Sequence, residues 1–352
     1  ALEDTIASVN VVFLDKDLDA NELGGYITWT PMGDFGFIQE YNVFLGSDAT
    51  RLNLGLFPIG TNQLYISENY AKADWKSIQI HTISSLAERT VPELVTISDS
   101  SGTVLDLEFV DQDVDAIQIG GAVTWTEPPN ETQITYYLVY FDEDGTAATR
   151  SQLGAPVPFG KPNATLEPNF VKDPYEFFLV YSRSSLYEQT TPAVTGISDN
   201  RFEVTDVYFH DEDLDGEELG GYAYWTPPND TSTVSRYVVY LATDHLGANR
   251  TYVGEASVAY NVATVPPDIS IKSFTHVLVY INTIVSGEQS IPSSTTFSDT
   301  AVSASGISML DEDLDEQELG GVVEFTPAAD ETFVTSYQVY LADTPTGLIR
   351  LH

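Results

Sequence analysis

The chain has 352 residues, 42% of them hydrophobic, which is core material for about two to four domains and too much for wholesale disorder. Its 53 acidic residues against 14 basic ones leave a formal net charge of -39, which argues against nucleic acid and anionic membrane surfaces, since both need clustered lysine and arginine. There is no cysteine for disulfides or thiolate metal sites.

No apolar run approaches the roughly 18 residues that a membrane span needs. The opening ALEDTIASVN does not read as a signal peptide, and a mature chain would have lost one.

In chain order, the first motif is LDKDLDANELGG from Leu14, with Asp15, Asp17 and Asp19 on alternate positions and Gly24–Gly25 behind them. The glycine pair reads as a bulge or a close backbone approach, because phosphate binding would require a lysine and a helix that the motif lacks. In GGYITWT, Ile27 and Trp29 alternate with Thr28 and Thr30, the two-residue period of a half-buried strand. YNVFL is the next strand, and Arg51 closes the segment.

The same order then returns. VDQDVDAIQIGG carries Asp111, Asp113 and Asp115, HDEDLDGEELGG carries Asp211, Asp213 and Asp215, and LDEDLDEQELGG carries Asp311, Asp313 and Asp315. The first aspartates are 96, 100 and 100 residues apart. Trp29, Trp125, Trp225 and Phe325 each stand twelve residues before Tyr41, Tyr137, Tyr237 and Tyr337. Arg51, Arg150, Arg250 and Arg350 keep step, as a structural ion pair or as a contact between units. YYLVYF, YVVYL and YQVYL repeat the second strand, while YEFFLVYS and THVLVYIN fit buried strands.

The expected units are 1–99, 100–199, 200–299 and an incomplete 300–352, each of the first three with about seven short strands in a two-sheet sandwich. VTWTEPPNETQITYYLVYF, AYWTPPNDTSTVSRYVVYL and LVYSRSSLYEQTTP resemble the fibronectin type III family, whose second, third and penultimate strands they are similar to. The resemblance implies an all-β chain of tandem immunoglobulin-like or fibronectin type III-like sandwiches, a fold of spacers, adhesion modules and binding modules. The acidic loop before the tryptophan strand departs from that family's pattern. Short joints near Asp99, Asp199 and Asp299 favour an extended rod.

The fourth unit stops about fifty residues short of the others' later strands, so a longer array, or head-to-tail self-association by strand addition into a filament, is expected.

Carboxylates two apart on an extended chain lie roughly 7 Å apart and repel by about 0.6 kcal/mol in water, or about 2.4 kcal/mol at an effective dielectric of 20. Two readings follow: a cage for a hard cation, calcium first, or a solvated acidic loop pinned to the core by Leu18, Val114, Leu214 and Leu314. In the first, all twelve aspartates are metal candidates, with Glu22, Glu218 and Glu318, the joint aspartates and Asp4 as further ligands. The motif is not an EF-hand, since its twelfth position is never glutamate.

Sequons occur at Asn130, Asn163, Asn229 and Asn249, glycan acceptors if the chain is secreted. The five histidines have no ligand spacing, and no unit has a private cluster, so no enzyme is expected.

These features favour an extracellular or cell-surface structural protein, a calcium-stiffened rod or filament. The alternative is an adhesion or carbohydrate- or protein-binding array, which a uniquely exposed aromatic cluster in one unit would favour. A third reading takes the acidity as salt adaptation.

Overall fold

The computed structural model describes residues 6–129, 132–345 and 350–351. It divides into two compact units: the chain up to Asp111 with Ile117–Asp199, and Gln112–Ala116 with the chain from Asn200. No α-helix occurs among the described residues, and none is long and apolar enough to cross a membrane.

The first unit holds two repeats. Strands β1 (Ala7–Phe13), β2 (Glu22–Gly33), β3 (Glu40–Gly46), β4 (Arg51–Pro58), β5 (Gln63–Ala71), β6 (Ser77–Ile83) and β7 (Glu93–Thr96) form the first. They make antiparallel sheets of order β1-β2-β5 and β4-β3-β6-β7. The alternation read in GGYITWT decides which residues face inward: Ile27 and Trp29 are buried, while Thr28 and Thr30 are exposed. Between the sheets, Trp29 meets Tyr41 edge-on with ring centroids 5.6 Å apart, so the twelve-residue spacing is a packing contact across the core. Such pairs contribute about 0.5–1.5 kcal/mol beyond area burial.

The second repeat has β8 (Leu105–Asp111), β9 (Gln118–Thr126), β10 (Tyr136–Asp142), β11 (Ser151–Gln152), β12 (Val157–Pro158), β13 (Asn163–Val171), β14 (Phe177–Arg183) and β15 (Ala193–Gly196). Its sheets are β13-β9-β8 and β11-β10-β14-β15, with β12 also on β10. Trp125 and Tyr137 repeat the ring contact at 5.2 Å. The joint between the two repeats is anchored at both ends, with Ile97 in the first core and Val104 in the second.

In the second unit, β16 (Thr205–Asp211), β17 (Glu218–Thr226), β18 (Val234–Ala242), β19 (Thr251–Ser257), β20 (Val262–Ser270), β21 (His276–Thr283) and β22 (Ser293–Thr296) form sheets β16-β17-β20 and β19-β18-β21-β22. Trp225 and Tyr237 are 5.1 Å apart.

The in-register arginines work within their own repeats. Arg150 lies 4.5 Å over both Tyr140 and Tyr181 and bonds Glu188 at 2.9 Å. Arg250 does the same with Tyr240, Tyr280 and Glu288. Arg51 stacks on Phe44. The side chain of Arg350 lies outside the described residues.

Among the described residues of the fourth repeat, β23 (Ser305–Met309) pairs with β24 (Val323–Thr326) and β25 (Leu341–Ala342) with β26 (Arg350–Leu351). The strand expected at YQVYL is therefore absent over most of its length. Its counterparts β3, β10 and β18 each pair on both sides, and strand geometry needs such partners for its backbone donors and acceptors. Phe325 and Tyr337 still meet at 5.0 Å.

Candidate functional site: the acidic loops

Each acidic loop follows the first strand of its repeat and ends at the glycine pair. Gly25 and Gly221 have φ of +125° and +138°, and the register with β5 and β20 shifts there, so the second glycine of the pair is a bulge. The first glycine is a close approach: a Cβ on Gly120 or Gly220 would fall 2.7 Å from the Cα of Pro168 or Pro267.

The three aspartates have different tasks. The first is a backbone clasp. Asp15 Oδ1 accepts the amides of Gly24 (2.9 Å) and Asp17 (3.2 Å), and its Oδ2 accepts Ser100 N–H at 3.0 Å. Asp211 repeats this with Gly220, Asp213 and Thr300. Burial pushes the Asp15 carboxyl up to about 6 against the pull of these amides, and it raises Asp211 too. In the fourth repeat, the amides of Gly320 and Asp313 hold Asp311 below its usual range.

The second aspartate organises the loop. Asp17 Oδ1 accepts Asp19 N–H at 3.0 Å, and Oδ2 accepts Asn69 N–H at 2.7 Å. Asp213 does so with Asp215 and Asp268.

In the first two repeats the third aspartate reaches into the next repeat. Asp19 Oδ2 accepts both N–H and Oγ1–H of Thr190, at 2.6 and 2.9 Å, while Oδ1 accepts Thr191 N–H at 2.9 Å. In the second unit, Asp115 accepts the amides of Ser290 (2.8 Å) and Ile291 (3.3 Å).

The apolar residue between the aspartates goes the same way. Leu18 is 1% exposed and belongs to the core of the second repeat, with Ile134 and Tyr137. Its carbonyl accepts Gly102 N–H at 2.8 Å and Gln189 Nε2–H at 2.9 Å. Val114, also 1% exposed, belongs to the core of the third repeat, and its carbonyl accepts Phe202 N–H. These residues do not pin the loop to its own core, as the sequence suggested. They are teeth set in the neighbouring one.

A three-stranded sheet against a larger one, of four strands in the first and third repeats and five in the second, with tryptophan facing tyrosine across the core, recurs in all three of the first repeats. These are fibronectin type III-like sandwiches in tandem. No protein-family model matches the chain, and no curated protein matches it.

Among solved structures, the chain is similar to a two-domain fibronectin type III segment of chicken tenascin, at 17% identity over 55% of this chain and 99% of that one, with a TM-score of 0.24. It is similar to the FN1–FN3 domains of chicken CNTN1, at 13% identity over 82% and 96% of the two chains, with a TM-score of 0.24. Domains A168–A170 of titin match at 12% identity over 83% and 99%, with a TM-score of 0.27. Similarity of this size carries no information on function.

In three of the fibronectin type III-like repeats, carboxylates gather closely enough to hold a cation: Asp17, Asp19 and Glu22; Asp213, Asp215, Glu218 and Asp268; and Asp313, Asp315 and Glu318. The second repeat, where Gln118 replaces the glutamate, has no such group among the described residues. The first aspartates Asp15, Asp111, Asp211 and Asp311 and the joint aspartates stand outside these groups. Asp99, Asp199 and Asp299 instead accept the amides of Asn21, Ile117 and Glu217, all at positive φ.

The donor set fits a hard cation. Glu22 Oε2 is buried without a hydrogen bond, and its carboxyl is raised first by burial and then by the charges of Asp17 and Asp19. Glu218 is raised by desolvation and by Asp268, Asp213 and Asp215.

Sequence reasoning missed Asp268, which lies 53 residues after Asp215. It also missed the receiving residues Gln189–Thr191 and Gln289–Ile291. Their signal was present, since EQTTP and EQSIP recur in register. Of the sequons, Asn163, Asn229 and Asn249 are exposed, and Asn130 lies outside the described residues.

Proposed function

We propose that this chain is an extracellular structural array in which consecutive sandwiches are interlocked rather than strung on linkers. The observation that carries the reading is the seating of Leu18 and Asp19 in the second repeat, repeated by Val114 and Asp115 in the third. A buried apolar tooth beside a carboxylate bonded to backbone amides resists both sliding and twisting. Bending such a joint means withdrawing the tooth. An array built this way suits a stiff rod or filament, and the exposed sequons Asn163, Asn229 and Asn249 suit a secreted one.

Calcium is a second layer of this reading. The second and third aspartates, the glutamate and Asp268 would hold it, and it would offset their mutual repulsion. Affinity in the range of extracellular modules, about 10⁻⁴–10⁻³ M, is expected from sites with three or four protein carboxylates. Calorimetric titration with calcium should therefore show saturable binding together with a rise in melting temperature. Glu218→Gln should weaken it. A flat titration at millimolar calcium, with no thermal shift, would remove the ion and leave the interlock standing.

A binding role for the third repeat has its own support. Tyr208, Tyr222 and Tyr224 are exposed on β16 and β17, and Tyr208 stacks on Tyr224 at 6.3 Å. The second repeat has Glu108, Ala122 and Thr124 on the matching face. If this ladder binds sugar rings, Tyr224→Ala should abolish capture on an oligosaccharide array. Capture unchanged by the substitution would discard the ladder.

A further inference from the structure

The in-register arginines of the second and third repeats end on the segments that receive the teeth. Arg150, stacked over the Tyr140 and Tyr181 rings, donates from Nη1 to Glu188 Oε1 at 2.9 Å. Glu188 directly precedes Gln189, Thr190 and Thr191. Gln189 is tied to β14 twice: its N–H donates to the Ser182 carbonyl at 2.9 Å, and its Oε1 accepts Ser182 N–H at 3.1 Å. Its Nε2 donates to the Leu18 carbonyl, and the next two amides donate to Asp19. The ion pair and the joint therefore share one short stretch of chain.

The third repeat has the same path. Arg250 donates from Nη2 to Glu288 Oε1 at 2.7 Å, and Tyr240 Oη donates to Glu288 Oε2 at 2.9 Å. Gln289 donates its N–H to the Ile281 carbonyl at 2.9 Å, and its Oε1 accepts Ile281 N–H at 3.1 Å. Its Nε2 donates to the Phe202 carbonyl, and the amides of Ser290 and Ile291 donate to Asp115.

The receiving segment is irregular between the end of β14 at Arg183 and the start of β15 at Ala193, apart from an isolated bridge between Arg183 and Glu188. Such a segment is held mainly by its side chains. Arg150 and Glu188 are 36% and 25% exposed, so their pair is less screened than an open surface pair. A guanidinium can stack between two rings and donate from its edge at once, which a lysine cannot do.

We infer that Arg150 and Arg250 are positioning residues of the joints: each braces, through its glutamate, the segment whose amides take the neighbouring repeat's aspartate. This rests on the interlock reading and adds how its receiving side is kept in shape.

Amide hydrogen exchange on the full chain tests it. Arg150→Met should speed exchange at Thr190 and Thr191 by about tenfold, and at the core amides of Val139 and Val180 by less than about twofold. Glu188→Gln, which leaves the rings in place, should act in the same direction, and Arg150→Lys should fall between wild type and Arg150→Met. Arg250→Met should do the same at Ser290 and Ile291. In a chain already carrying Asp19→Ala, Arg150→Met should add less than about twofold at Thr190 and Thr191, because the contact it protects is gone. Equal acceleration at Thr190 and Val180 would reduce the arginine to a general stabiliser and overturn the inference. So would unchanged exchange at Thr190 and Thr191 in Arg150→Met where Asp19→Ala accelerates it, an outcome that leaves the interlock standing. If Asp19→Ala leaves those amides unchanged as well, both readings fall.

Discussion

Leu18→Ala should destabilise the second sandwich rather than the first, by about 2–5 kcal/mol, the cost of emptying a well-packed leucine site. The residue lies in the first repeat's loop, yet its side chain packs with Ile134 and Tyr137 and is closed off from water. Nothing else from the first repeat fills that place once the leucine is truncated. The matching change Leu314→Ala should cost under about 0.5 kcal/mol, since an exposed side chain has no core contacts to lose. Denaturant unfolding separates the two if Trp125 is kept as sole reporter, with Trp29, Trp75 and Trp225 replaced by phenylalanine. A midpoint shift of the Trp125 signal is the expected result. A shift seen only in a parallel chain that keeps Trp29 as its sole tryptophan would place the leucine's role in its own repeat.

Asp19→Ala should have the next largest effect. It removes three hydrogen bonds to one carboxylate and leaves the amides of Thr190 and Thr191 without their acceptor. Charge-assisted bonds of this kind contribute about 1.5–3 kcal/mol each at most, and solvent reaching the exposed Thr190 and Thr191 reduces the loss, so about 2–3 kcal/mol in total is expected. Amide exchange at Thr190 and Thr191 should accelerate by one to two orders of magnitude, as about 1.4 kcal/mol per tenfold implies. Asp19→Asn should fall between, because one amide oxygen still accepts. Asp315→Ala should change little.

The architecture was legible because each repeat solves its packing locally. Alternation at Ile27 and Trp29 declares a buried face, the twelve-residue step to Tyr41 declares the facing sheet, and Gly24–Gly25 declare the bulge. The loop was harder to read because its partners are remote. Leu18 sits among charges, which reads as a loop pinned nearby, but Gln189 and Thr190 that receive it come more than 170 residues later. Three aspartates on alternate positions suggested three equal ligands. The backbone divides them instead, sending one to its own bulge, one to the loop and one to the neighbour. The YQVYL strand failed for a related reason: strand character alone does not make a strand, and of YQVYL only Leu341 lies in a paired strand among the described residues.

A double-mutant cycle between Asp19→Ala and Thr190→Val tests the interlock most directly, because the two residues belong to different sandwiches and meet only if the loop is seated. Residues in direct contact couple by about 0.5–3 kcal/mol, whereas distant ones add to within about 0.3–0.5 kcal/mol. Coupling of about 1 kcal/mol in the stability of the second sandwich is the predicted result. Strict additivity would mean that the acidic loop and its neighbour fold without reference to each other.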